Sequence, residues 1–262
     1  NRPIVEFLEK EKGRYDLSSP LLMTSTGMQI SKDVKKRLHK YMPQLIISDL
    51  IGSTEAIGEG GSFAFSNREP LDTCVQVAPK ARDSKIIDFD TGKEVKKGEV
   101  GELVLYVGDL SKEYYRDEER TKKTWVMIDG KRYVHTGDAV HVDDQGLLYL
   151  VGRGSECINT GGEKVWTYEV EEAIMKNPKV HDVLITGVPD KRWGEAVTAV
   201  VELNKGEKAT EEEIKEFCRG KMAEYKIPKH VIFVDEIPKI EGQLKHDYPA
   251  TKKLARERVL GS

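Results

Sequence analysis

Apolar and polar positions follow three different rhythms along this chain. Residues 3–13 have the spacing of a short helix, and Pro20–Ser25 forms an apolar run that ends in small polar residues. Ser31–Tyr41 reads as a helix, with Ser31 able to cap it and Val34, Leu38 and Tyr41 on one face. Leu45–Asp49 reads as the next buried strand. Strand–helix–strand alternation predicts an α/β layer with a parallel sheet, whose site lies beyond the carboxyl ends of its strands. Those ends are Thr24-Ser25-Thr26-Gly27 and Leu50-Ile51-Gly52-Ser53-Thr54-Glu55.

From about residue 62 the runs shorten. Cys74–Val77, Lys85–Phe89, Gly101–Val107, Arg132–His135 and Leu147–Val151 sit between turn signals such as Asp90-Thr91-Gly92 and Asp129-Gly130. A small antiparallel β-barrel or sheet is expected, interrupted by one helix at about Asp117–Trp125. A third rhythm begins near Gly152. Helices are expected at Thr167–Lys176, with Val170, Ala173 and Ile174 inward, and at Glu211–Tyr225, with strands at Asp182–Val188, Ala196–Leu203 and Val231–Val234. In the second helix Ile214, Phe217, Cys218 and Met222 lie near helical spacing, with acids at its start and Lys221 and Lys226 at its end. This predicts a compact α+β module. The boundary falls at Gly152–Ser155, giving domains 1–153 (α/β layer about 1–60, barrel about 62–151) and 154–262.

Composition narrows the classes. At roughly 100–200 residues per domain, 262 residues make one or two domains. Lys plus Arg total 42 against 45 Asp plus Glu, a net charge of -3, which offers no basic field for nucleic acid or anionic lipid. Cys74, Cys157 and Cys218 are odd in number and far apart, so neither a disulfide framework nor a CxxC metal site is indicated. A reducing, cytoplasmic setting is expected. No apolar run approaches the roughly 18 residues of a membrane span, and no signal peptide opens the chain. The opening Asn1-Arg2-Pro3 reads as the middle of something, and a piece of a longer chain is expected.

Four segments carry chemistry. In Gly52-Ser53-Thr54-Glu55, glycine allows close backbone approach, the hydroxyls can bond phosphate oxygens, and the carboxylate suits Mg²⁺. A strand-to-loop turn with capping residues has the same composition. In His135-Thr136-Gly137-Asp138, an aspartate at a tight turn can accept from two ribose hydroxyls, and equally could close a hairpin. The run from Gly152 to Val165 is dense in glycine around charged residues, which suits a hinge or a loop lying against a ligand, or else a long hairpin. The segment from Ile237 to Tyr248 is a polar loop carrying the flexible cation Lys245, and a loop lysine is often simply solvated.

In this order the four segments resemble the C-terminal part of the AMP-forming adenylating enzymes: acyl-CoA synthetases, aryl-CoA ligases, luciferases and peptide-synthetase adenylation domains. Gly101-Glu102-Leu103, Tyr114-Tyr115, Gly152-Arg153, Ile158–Val165 with Glu169, and Lys245 extend the match over essentially the whole chain. The resemblance implies the end of a large N-terminal domain, followed by a small mobile C-terminal domain. It implies an adenine loop at Ser25, Thr26 and Gly27, continuing to Met28. ATP or AMP would also meet Gly52 and Ser53, with Thr54 on the phosphate and Glu55 on Mg²⁺. Asp138 would hold the ribose, helped by Arg153, and Ser155 would be the hinge. Gly161, Gly162 and Lys164 would line the path of CoA's pantetheine arm. Lys245 would bridge carboxylate and α-phosphate.

Three departures accompany the match. Asn159 stands where the family has lysine. The family's Gly-Lys becomes Gly242-Gln243-Leu244-Lys245, so the reactive lysine is either lost at Gln243 or displaced to Lys245, and the following Asp247-Tyr248 favours Lys245. The Ser/Thr/Gly-rich phosphate loop and most of the acyl pocket are not present in this sequence. The expected partners are a carboxylic acid, CoA and a missing N-terminal portion, with no nucleic acid and no integral membrane segment. The alternatives are an enzyme that loads a carrier protein's phosphopantetheine and a non-catalytic binding module derived from the fold. Trp125, Trp166 and Trp193 read as packing residues, and the cysteines as small apolar fillers.

Overall fold

The computed structural model describes residues 2–26, 30, 32–51, 54–56, 60–67, 74–75, 83–108, 110–242 and 245–261. The chain divides into two compact units, Asn1–Leu150 and Val151–Ser262.

The first unit opens with α1 (Arg2–Lys10), β1 (Leu22–Thr26), α2 (Lys32–Tyr41), β2 (Ile46–Ile51) and β3 (Gly60–Ala64). β1 and β2 are parallel and in register from Leu22↔Ile46 to Thr26↔Leu50, and β3 returns antiparallel to β2. Val34 and Leu38 of α2 pack with Val5, Leu8, Leu45 and Ile47. Beneath the strand ends, Lys35 of α2 pairs with Asp49 of β2 at 2.6 Å, both nearly fully buried. Asp49 also accepts from the Ile30 amide at 3.1 Å. An ion pair removed from water this completely ties the helix to one position on the strand.

The second sheet holds β4 (Cys74–Val75), β5 (Ser84–Ile87), β6 (Gly101–Tyr106), β7 (Trp125–Ile128), β8 (Lys131–Val142) and β9 (Leu148–Arg153), with α3 (Glu118–Thr124) between β6 and β7. Its order is β4-β9-β8-β6-β5, with β7 also on β8. Among the described residues it is an open six-stranded antiparallel sheet; of the two expected forms, barrel or sheet, the sheet is what forms. Asp129-Gly130 is a two-residue hairpin turn with both φ positive, as a primed turn requires.

The second unit contains β10 (Ile158–Thr160), β11 (Glu163–Val165), α4 (Thr167–Met175), β12 (Val180–Asp190), β13 (Gly194–Leu203), α5 (Glu211–Cys218), β14 (His230–Val234) and α6 (Tyr248–Leu260). Sheet order is β11-β10-β13-β12, with β14 parallel to β13. Side chains alternate across the pleat. Val183, Ile185, Val197, Ala199 and Val201 face Val170 and Ile174 of α4 and Ile214 and Cys218 of α5. Leu184, Val188 and Val200 face the opposite layer with Ala255 of α6. α5 ends at Cys218, seven residues short of the expected Tyr225, because Arg219 is extended and Gly220 takes φ +74°. Lys215, not Lys221 or Lys226, therefore lies in its last turn.

Candidate functional site

Both loops that leave the carboxyl ends of the parallel pair belong to the first unit. Ser25, half-buried, lies opposite Asp49 in the β1–β2 register. Thr26 ends β1, while Gly27, Met28, Gly52, Ser53 and the expected cap Ser31 lie outside the described residues. Thr54 is exposed and Glu55 half-buried. Tyr114 Oη donates a short hydrogen bond to Glu55 Oε1. Ser111 Oγ donates to the Glu55 carbonyl at 2.6 Å and accepts from Trp125 Nε1 at 3.3 Å. Arg132 donates to the carbonyls of Ser111 and Lys112. Tyr114 packs edge-on to Trp125, and the Arg120 guanidinium lies over the Tyr114 ring at 4.1 Å. Burial first, then the Glu55 carboxylate, pushes the Tyr114 phenol above its ordinary value, so it stays a donor. These contacts fix the Glu55 carboxylate from a loop far away in sequence.

The His135–Asp138 segment is not a turn. It lies inside β8, which runs unbroken from Lys131 to Val142. Opposite it, β6 pairs Glu102 with Ala139 and Val104 with His135, so three residues of β8 face one of β6. Gly137 at φ +74° absorbs this bulge. Glu102 is its clamp: Oε2 lies 3.0 Å from His135 Nδ1, and Oε1 accepts the Gly137 amide at 3.0 Å. Thr136 Oγ1 donates to the Leu103 carbonyl and accepts the Asp138 amide. Asp138, buried to 8% exposure, is thereby held on a bulged backbone. Bulges re-aim side chains, and this one sets the direction of a carboxylate.

The second unit presents its candidates along one stretch. Arg153, exposed, closes β9, and Gly154–Glu156 form a single 3-10 turn carrying exposed Ser155. Gly161 and Gly162 form the two-residue turn between β10 and β11, at φ +60° and +90°. Gly161 has a further reason to be glycine. Its amide donates to the Trp193 carbonyl at 2.8 Å, and a Cβ there would meet the Trp193 ring at 2.7 Å. Asp190 accepts the amides of Arg192 and Trp193 and pairs with Lys229 at 2.5 Å. Lys229 first, then those amides, holds the Asp190 carboxyl down to about 2. Trp193 is thus a fixed, partly exposed ring under the glycine turn, whereas Trp125 and Trp166 are buried. Lys164 is exposed on the same hairpin, and Glu195 Oε2 accepts the Asn159 amide at 3.1 Å. Lys245 is exposed on the hairpin that precedes α6.

Tyr114, Glu102 and Trp193 act on the candidate residues from positions far off in sequence. Gly101-Glu102-Leu103 and Tyr114-Tyr115 stand out as motif elements, but only the three-dimensional contacts give them these tasks. Among the described residues no group of three or more His, Cys, Asp or Glu could hold a metal by itself. Among the described residues no helix is long and apolar enough to cross a membrane.

A family model for AMP-binding enzymes matches residues 3–115, and one for the AMP-binding enzyme C-terminal domain matches residues 169–242. A medium/long-chain-fatty-acid–CoA/3-oxocholest-4-en-26-oate–CoA ligase of Mycobacterium tuberculosis (strain ATCC 25618 / H37Rv) is 37% identical over 258 residues, 98% of this chain and 46% of that protein. A 3-oxocholest-4-en-26-oate–CoA ligase of Rhodococcus rhodochrous is 40% identical over 242 residues, 90% of this chain and 43% of that one. The chain therefore spans about half the length of the curated relatives it matches. ATP-bound MatB from Rhodopseudomonas palustris superposes with a TM-score of 0.78 at 26% identity, over 90% of this chain and 46% of that one. The amide bond synthetase McbA from Marinactinospora thermotolerans shares the fold, with a TM-score of 0.81 at 24% identity over 97% of this chain and 54% of that one.

Proposed function

Because the chain belongs to the AMP-forming adenylating enzymes, we propose that it is the C-terminal part of an ATP-dependent acid–CoA ligase. The observation that carries this reading is the ordered set of segments from Thr54-Glu55 to Lys245, in a chain whose relatives bear the names of CoA ligases. In the first half-reaction a carboxylate oxygen attacks the α-phosphorus of ATP, the bond to pyrophosphate breaks, and acyl-AMP forms. In the second, a thiol attacks the acyl carbon and AMP leaves.

The residues divide the work. Asp138, aimed by the β8 bulge, accepts from the ribose hydroxyls, and Arg153 assists it. Ser25, Thr26 and Gly27 lie along adenine, while Gly52, Ser53 and Thr54 bond phosphate oxygens. Glu55, oriented by Tyr114, would hold Mg²⁺, which when bound supplies charge neutralisation at the phosphates. Lys245 stabilises charge that develops as the carboxylate meets the α-phosphate. Gly161, Gly162 and Lys164 guide the pantetheine arm of CoA. Ser155 is the pivot by which residues 154–262 serve both steps. The relatives' names favour an apolar acid, either a fatty acid or a steroid side-chain carboxylate.

The test is a comparison of half-reactions in the intact enzyme. Lys245→Ala is expected to slow ATP–pyrophosphate exchange and spare thioester formation from supplied acyl-AMP; equal loss in both would remove its role. Asp138→Ala is expected to weaken nucleotide binding, and an unchanged ATP affinity would refute the ribose assignment. This chain alone is expected to show little ligase activity, restored by a separately produced N-terminal portion. Full activity of residues 1–262 by themselves would contradict that.

A further inference from the structure

We propose that His246 is a positioning residue for Lys245, clasped by a pair of carboxylates on two adjacent strands. This rests on the assignment of Lys245 as the adenylation lysine. The clasp begins with an arrangement that a sheet ordinarily avoids. Asp182 of β12 and Glu202 of β13 are direct cross-strand partners. Like charges placed opposite each other destabilise a sheet unless something offsets them. Two antiparallel legs, residues 237–240 and 245–247, do so. The Ile237 amide donates to Glu202 Oε2 at 3.1 Å. His246 Nε2 donates to Asp182 Oδ2 at 2.8 Å. His181 Nε2 stands 3.7 Å from the other Glu202 oxygen.

The hairpin itself is short. Ile240 donates its amide to the Lys245 carbonyl at 2.9 Å, and Asp247 donates to the Pro238 carbonyl at 2.8 Å. Lys239 and His246 form an antiparallel bridge. Asp247 then caps α6 by accepting the Ala250 amide at 2.9 Å. His246 is held in the bridge to Lys239, and Lys245 stands at a bend beside it. The His246 side chain is only 14% exposed and turned onto Asp182, while Lys245 is exposed. Holding His246 inward fixes the backbone next to exposed Lys245, and only the capping Asp247 separates the pair from α6.

The titratable groups facing His246 come from three directions: Asp182 on β12, Glu171 on α4, which burial holds protonated at neutral pH, and Lys239 on its own hairpin. The Tyr248 ring stands edge-on at 6.4 Å. The hydrogen bond to Asp182 is the largest influence and raises the imidazole above its ordinary 6.5. A raised histidine contributes its full attraction below that ordinary value and loses it as pH climbs through the folded one. The clasp is thus tightest in its charged form, and weakens on the alkaline side.

The experiment uses the intact enzyme, ATP–pyrophosphate exchange for adenylation, and supplied acyl-AMP for the thiol step. His246→Ala is expected to slow adenylation about ten- to a hundredfold, the scale of a misplaced reacting group, while the thiol step stays within about twofold. His246→Gln keeps a donor in the Nε2 position and is expected to recover most of the rate without the alkaline decline. Asp182→Asn is expected to move that decline toward lower pH. Equal slowing of both half-reactions by His246→Ala, or no recovery in His246→Gln, would overturn the proposal. Lys245→Ala separates the two readings. If it abolishes adenylation while His246→Ala does nothing, only the clasp fails; if it leaves adenylation intact, the lysine assignment fails and the clasp with it.

Discussion

A carboxylic acid that keeps its proton at neutral pH lies on the buried face of α4. Burial pushes Glu171 up to about 8, while its Oε1 accepts the Ile185 amide at 2.9 Å. The folded state then holds a proton that the unfolded chain has released, so stability is full below about 4.5 and falls as pH rises toward about 8. Glu171→Gln keeps the acceptor without the titration. It is expected to flatten the slope and to stabilise the protein at pH 8 by about 2–4 kcal/mol, read by urea melts across pH. The glycine turn gives a second prediction. Gly161→Ala meets the Trp193 ring, whereas Gly162→Ala has nothing within 4 Å. Both pay the left-handed backbone cost of about 1–2 kcal/mol, and only the first adds a clash, so its melting temperature is expected to fall further. The unusual glycine density was legible in the sequence. Its partner Trp193 was not, because nothing local joins positions 161 and 193. Tyr114 with Glu55, and His246 with Asp182, are hidden for the same reason.

Elements were legible where local chemistry was complete. α5 begins with a reciprocal capping box: Thr210 Oγ1 accepts the Glu213 amide, and Glu213 accepts the Thr210 amide. Thr210→Ala is expected to cost about 1 kcal/mol in chemical denaturation; no loss would mean the last turns, not the first, hold this helix. The other end was misjudged because Met222 continues the apolar spacing beyond Gly220, which turns the backbone away. α6 was missed altogether. Only Thr251 and Ala255 are fully buried in it, with Tyr248, Leu254 and Val259 packed only in part, so its apolar stripe is thin and interrupted, although Asp247 and Gly261 mark its ends. β8 was read as a short strand ending at His135. The bulge that carries Asp138 through it depends on Glu102 from β6, a contact that periodicity cannot reveal.

The change of rhythm near Gly152 arises because strands buried on both faces read as nearly continuous apolar runs. Each unit has its own core: Ile158, Val170, Ile185 and Ile214 share one cluster, and Leu103, Trp125 and Leu148 share another. Residues 151–262 expressed alone are therefore expected to unfold in a single cooperative thermal transition, and a broad, non-cooperative melt would show that their core is incomplete. The chain has 3 tryptophans, and their settings differ in a useful way. Trp193 is 41% exposed beneath the glycine turn, against 9% for Trp125 and 8% for Trp166, and Arg192 lies 4.7 Å over its ring. Iodide, drawn by that guanidinium, should quench one emitter and spare two. The intrinsic fluorescence of the unlabelled protein thereby becomes an optical gauge of whatever comes to rest on that turn.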